Sequence, residues 1–189
     1  MTDPLVMTLA LDPDAQRRLD ELRARWFPRA RNHLAAHVTL FHALPGDELD
    51  AVRQAVAEVA GAAAPMAMAV HTVRPLRHGV ALDMASSALG SVHADLAGRF
   101  GPWLTRQDRQ SLHPHVTVQN KVSEQEAATL AADLGSSFEP WTAIGTGLEL
   151  WWYRGGPWEH VATVAFGGGG ARDGGAGDGG AGDGREGED

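Results

Sequence analysis

Two short stretches hold the residues most able to do chemistry. His37-Val38-Thr39-Leu40 recurs as His115-Val116-Thr117-Val118, the second copy preceded by His113-Pro114. Alternate side chains of an extended strand share a face, so each stretch offers an imidazole and a hydroxyl on one side. Val38, Leu40, Val116 and Val118 then form the opposite, packing side. One such stretch is unremarkable, because exposed strand histidines and β-branched threonines are common. Two in 189 residues, in matching surroundings, point to a site where two histidines face one substrate. Histidine titrates near neutral pH, so such a pair can hold opposite protonation states at once.

A metal site is the competing use of these residues. His33 and His37 lie four apart and His113 and His115 two apart, so four imidazoles can be drawn round one ion. The region before His37 reads as loop and strand rather than helix, and no Asp or Glu completes an obvious ligand set. The expectation is no metal and no cofactor. The chain contains no cysteine, which excludes disulfides, thiolate zinc sites and cysteine nucleophiles. That composition suits a reducing cytoplasm, the expected location.

Composition excludes other classes. An apolar fraction of 43% is ordinary for a globular core. No run approaches the roughly 20 apolar residues that span a bilayer, and Met1-Thr2-Asp3-Pro4 lacks the basic start of a signal peptide. Net charge is −8 and the pI about 5.5. Proteins gripping duplex DNA carry a basic field, so duplex nucleic acid and membranes are excluded as expected partners. A nucleotide or a single RNA end in a local pocket is not, and a monomer is expected.

The elements that must position the motifs follow from hydrophobic spacing. Leu5 to Leu11 reads as a buried strand. Asp12-Pro13 caps a helix with Leu19, Leu22 and Trp26 on its apolar side, ended by Pro28. The first motif strand runs from about Ala36 to Ala43. Leu49, Val52, Val56 and Val59 mark a second helix, and Met66 to Val73 a strand. The second half repeats this plan: strand Gly79 to Met84, a helix from Ser86-Ser87 carrying Leu89, Val92, Leu96 and Phe100, then motif strand Val116 to Val122. A helix opened by Ser123 and Glu126 at capping-box spacing follows. Trp141 onward returns to strand, with a final pair at Glu149 to Arg154 and His160 to Phe166.

Offsets turn this likeness into a duplication. Val6 and Val80, Leu22 and Leu96, Arg25 and Arg99, Trp26 and Phe100, and Pro28 and Pro102 are all 74 apart; His37 and His115 are 78 apart. The predicted fold is α+β and two-lobed, with residues 1–166 forming interleaved lobes. Each lobe is an antiparallel sheet with helices on its outer face, and the motif faces meet across a central cleft. From Gly167 the composition becomes Gly- and Asp-rich, so 167–189 is expected to be a disordered tail.

Ala36-His37-Val38-Thr39-Leu40-Phe41-His42-Ala43-Leu44-Pro45 and Pro114-His115-Val116-Thr117-Val118-Gln119-Asn120-Lys121 resemble the paired motifs of the two-histidine (2H) phosphoesterases, the 2'-5' RNA ligase-like superfamily, in its bacterial branch. The likeness covers residues 4–166. It implies metal-independent hydrolysis of a 2',3'-cyclic phosphate or 2',5'-phosphodiester of an RNA end or small nucleotide. His37 and His115 would be base and acid, in an order left open, and Thr39 and Thr117 would hold the non-bridging oxygens. The same pair run in reverse is a 2'-5' RNA ligase. A non-catalytic module binding a phosphate end is the alternative from another class.

Further substrate contacts are expected from Phe41, Arg31, His113, Trp152 and Tyr153. Arg29 and Arg31 would add positive charge near a phosphate, against the plainer reading that surface arginines face solvent. Lys121 lies too far along the second strand from His115 to reach the same phosphate. Among Trp151, Trp152, Tyr153 and Trp158, an exposed ring would stack on a base, while at least two fill the core.

Overall fold

Helix starts are set by local side-chain chemistry. In this computed structural model, which describes residues 2–167, Asp12 caps the first helix by accepting from the Ala15 N–H at 3.0 Å, and Pro13 takes its first position. Ser86 accepts from the Leu89 N–H, and Ser123 and Glu126 close a reciprocal capping box. The chain runs β1 (Leu5–Leu11), α1 (Pro13–Trp26), β2 (Val38–Leu44), α2 (Leu49–Ala62), β3 (Met66–Leu76), β4 (Gly79–Ala85), α3 (Ser87–Phe100), β5 (His115–Asn120), α4 (Glu124–Ser136), β6 (Trp141–Trp152) and β7 (Glu159–Ala165). The expected tail lies outside the described residues, Gly167 apart.

Every strand pair is antiparallel, in the order β2-β1-β6-β3-β4-β5, with β7 also on β6. β6 joins the two halves. Its first residues, Trp141 to Gly145, pair with β3; from Gly145 on it pairs with β1 on one edge, and from Gly147 with β7 on the other. The segment expected to begin a separate strand at Glu149 is the second half of this unbroken strand. The motif strands β2 and β5 stand at opposite ends of the order, yet they touch. The sheet therefore curls until its two ends meet, which brings the motifs together.

Burial fixes the faces. Leu5, Met7 and Leu9 of β1, Val38 and Leu40 of β2, and Val52, Val56 and Val59 of α2 belong to one core with Val80, Leu82, Val116 and Val118 from the second half. Helix placement crosses between the two halves: α1, which follows β1, packs on β5, while α4 covers β3 and β4. Both motif strands are shifted from expectation. β2 begins at Val38, leaving His37 at its mouth, and β5 ends at Asn120. Lys121, with φ of 64°, turns in the left-handed region beyond the strand.

A bulge overturns one expected contact. Thr8 pairs with Thr39 and Met7 with Phe41, so β2 has one more residue than β1 over this step. Alternation breaks there, and Leu40 and Phe41 both point inward, at 2% and 0% exposure. The Phe41 ring stacks on His93 at 4.7 Å and meets the edge of Phe100 at 5.4 Å. Phe41 is a core residue and cannot touch substrate. Phe41→Ala is expected to cost about 3–5 kcal/mol in denaturant unfolding. Phe41→Leu should leave KM for any substrate near the wild-type value; a raised KM at unchanged stability would contradict this placement.

Candidate active site

The site is held from one side of α1. Gln16, Asp20 and Arg23 are spaced i, i+4, i+7 and so share a helix face. The Gln16 amide donates to the Ala36 carbonyl at 2.9 Å, and Asp20 Oδ1 accepts from the Ala36 N–H at 2.6 Å. A second Gln16 contact, to Asp20 Oδ2 at 3.1 Å, ties the two together. The residue before His37 is thus gripped through both its backbone groups. One turn on, the buried Arg23 donates to the Thr117 carbonyl at 2.6 Å and to Asn32 Oδ1 at 3.0 Å. One helix face anchors the approach to the first motif and the backbone of the second.

The two histidines are set identically. His37 Nδ1 lies 2.8 Å from the Ala35 carbonyl, and His115 Nδ1 lies 2.8 Å from the His113 carbonyl. A carbonyl only accepts, so each Nδ1 must carry the hydrogen, which leaves Nε2 as the nitrogen without its hydrogen on both neutral rings. Among the described residues neither Nε2, nor the hydroxyl of Thr39 or Thr117, has a hydrogen-bond partner. All four side chains are half-buried. Burial pushes the pKa of His37 below the ordinary 6.5; the Ala35 carbonyl opposes this, and the positive charges of Arg23, His115 and His42 add to it.

Beside His37 opens a cavity of about 420 Å³. Trp151 and Trp158 form part of its wall, with Trp158 4.7 Å from the His37 ring and 6.3 Å from Trp151. Glu149 also lines it; its Oε2 accepts from the Thr8 hydroxyl at 3.1 Å, which in turn accepts from Trp151 Nε1 at 2.9 Å. Across the cleft, β4 places Asp83 opposite His115, and Asp83 pairs with Arg74 at 2.8 Å.

The loop leading to the second motif is pinned to the first. Asp108, with its side chain fully buried, accepts from the His42 N–H at 2.8 Å, His42 Nδ1 at 2.9 Å, the Ala43 N–H at 3.2 Å and the Thr105 hydroxyl at 3.0 Å. Burial alone would raise its pKa, but the bonds from His42 and Thr105 outweigh it and hold the carboxyl below the usual 3.8.

The remaining sequence candidates are placed differently from expectation. Trp152 points to the face opposite Trp151, against Gly46, with Arg154 over its ring at 5.6 Å. Strand alternation makes Trp151 the cleft residue. Tyr153 follows the end of β6, is 45% exposed and does not line the cavity. Arg31 sits exposed in a short 3-10 turn, also off the cavity wall. His113 is exposed and serves His115 through its carbonyl; His33 lines the cavity. Among the described residues, no three of His, Asp and Glu group closely enough to hold a metal ion, and no helix is long and apolar enough to cross a membrane. Sequence reading passed over Glu149, Thr8 and the Gln16–Asp20–Arg23 stripe. The available signals were the i, i+4, i+7 spacing on α1 and the alternation that pairs Glu149 with Trp151.

The same fold recurs in known structures. The crystal structure of a phosphoesterase superposes with a TM-score of 0.61 at 16% identity, over 88% of this chain and 99% of that one. Escherichia coli LigT complexed with 3'-AMP gives 0.60 at 16%, over 88% and 99%. TT0787 of Thermus thermophilus gives 0.61 at 14%, over 88% and 99%. At these identities the likeness establishes the fold. Comparison with curated protein sequences returns no match. The family model for the 2'-5' RNA ligase superfamily matches residues 11–157, most of the chain, with both histidine motifs inside the match. By this match and by its fold, the chain belongs to the 2'-5' RNA ligase superfamily, the two-histidine phosphoesterases.

Proposed function

We propose that this protein is a metal-independent phosphoesterase that opens a 2',3'-cyclic phosphate, on an RNA end or small nucleotide, to a 2'-phosphate. The observation that carries this reading is the matched pair of Nδ1 contacts to carbonyls two residues back, which turns both Nε2 atoms into the free positions. His37, held neutral by burial and neighbouring positive charge, is the base and takes a proton from water. The water oxygen bonds to phosphorus as the P–O3' bond breaks, and His115 Nε2 gives its proton to the departing O3'. Thr39 and Thr117 hydroxyls donate to the non-bridging oxygens as charge builds on them. Structures of E. coli LigT complexed with phosphate and with 3'-AMP support a phosphate- or nucleotide-sized ligand in this fold.

The test is a panel of 2',3'-cyclic nucleotides and 2',5'- and 3',5'-linked dinucleotides, assayed after exhaustive chelation. Cyclic phosphates should turn over, and His37→Ala or His115→Ala should each lower kcat by about 10²–10⁴-fold. Activity surviving either change, or abolished by chelation, contradicts the reading.

The pH profile of kcat/KM should be bell-shaped. Neutral His37 is the reactive form, and burial pushes its pKa below the ordinary 6.5, so the acid limb should be centred below pH 6.5 and fall by about tenfold per unit once the base is mostly protonated. The alkaline limb reports proton loss from the acid. A profile flat from pH 5 to 9, or an acid limb centred above 6.5, would count against this assignment.

A further inference from the structure

The cavity beside His37 has a chemistry of its own. Its volume of about 420 Å³ falls in the roughly 300–1,000 Å³ range of small-molecule sites. Its wall joins His37 to two tryptophans, Trp151 and Trp158, whose planes lie at 47°, and aromatic faces hold bases by stacking. No Lys or Arg lines it, whereas Asp20 and Glu149 do. A second phosphate is disfavoured there, and a group rich in hydrogen-bond donors is favoured.

The two carboxyl groups are not equivalent. Both oxygens of Asp20 are occupied, Oδ1 by the Ala36 N–H and Oδ2 by Gln16. Glu149 uses only Oε2. Trp151 Nε1 donates to the Thr8 oxygen, so the Thr8 proton goes to Oε2 and orients the carboxyl from behind. Among the described residues Oε1 has no hydrogen-bond partner, and Glu149 lines the cavity.

We infer that this cavity takes the substrate's base and that Glu149 selects guanine, its Oε1 and the remaining lone pair of Oε2 accepting from the N1–H and N2–H groups of the Watson–Crick edge. Guanine alone among the four RNA bases presents two adjacent donors on that edge. Adenine and cytosine set an acceptor nitrogen beside their amino group, and uracil flanks one N–H with two carbonyls, so each would face an acidic oxygen with a lone pair. A site built on such donors discriminates against bases lacking them far better than an apolar pocket does. The inference rests on the phosphoesterase reading for the position of the phosphate.

The test compares kcat/KM for the four 2',3'-cyclic nucleoside monophosphates in the full-length wild type and in Glu149→Gln. Alongside runs calorimetric binding of 2'-GMP and 2'-UMP. The wild type should prefer the guanosine substrate over the uridine one by about tenfold or more, and 2'-GMP should bind correspondingly tighter. Glu149→Gln, whose amide can match only one donor, should shrink both ratios. Equal kcat/KM for all four bases in the wild type overturns the inference, as does a guanine preference unchanged in Glu149→Gln. If no cyclic substrate turns over, the hydrolytic reading fails, and the binding ratio alone decides: tighter 2'-GMP supports the guanine site and equal affinities overturn it.

Discussion

The site depends on a polar face of α1, half-buried at Gln16 and Asp20 and buried at Arg23. Hydrophobic packing can press α1 onto β5, but apolar contact is non-directional and would not fix the motifs to a fraction of an ångström. Gln16, Asp20 and Arg23 supply the direction, with bonds to both backbone groups of Ala36, to the Thr117 carbonyl and to Asn32 in the loop before the first motif. Burying a guanidinium is costly unless it is well bonded. The Arg23 contacts to the Thr117 carbonyl and Asn32 offset part of that cost, the Phe27 ring lies 4.2 Å from its carbon centre, and the Arg23 Nε is left without a hydrogen-bond partner among the described residues. Hydrogen bonds to charged groups contribute about 1.5–3 kcal/mol each, so losing Arg23 would loosen both motifs together.

The two motif strands share the residues and local contacts of the histidines and differ in the rest. Both copies retain histidine, threonine and the carbonyl two residues before the histidine. That local geometry decides which nitrogen works, and it needs nothing from the opposite half. The surroundings differ. Glu149 and two tryptophans stand beside His37, whereas the Arg74–Asp83 pair lies on the side of His115. A symmetric pair thus stands in an asymmetric field, which is the asymmetry that the proposed division into one base and one acid draws on.

Much of this was legible in the residues. The strand and helix order, the caps at Asp12, Ser86 and Ser123 and the meeting of two motif faces follow from periodicity, capping chemistry and offsets near 74. Phe41 was not, because the bulge beside it adds one residue to β2 and flips the alternation, and no Gly or Pro marks the place. Trp152 was misplaced although strand alternation already separated it from Trp151. Asp108 lies in a loop with no period, and its tie to His42 spans 66 positions. Contacts this distant leave no local trace. The α1 stripe is intermediate: its spacing is visible, but a polar helix face more often meets water than a neighbouring strand.

The most direct measurement is nitrogen-15 NMR of the imidazole rings, titrated with inorganic phosphate. Both His37 and His115 should appear in their neutral forms as Nδ1–H tautomers, and phosphate should shift both Nε2 resonances while leaving the tautomers unchanged. An Nε2–H tautomer at either residue, or phosphate shifts confined to one ring, would contradict the acid–base pair on which the account stands.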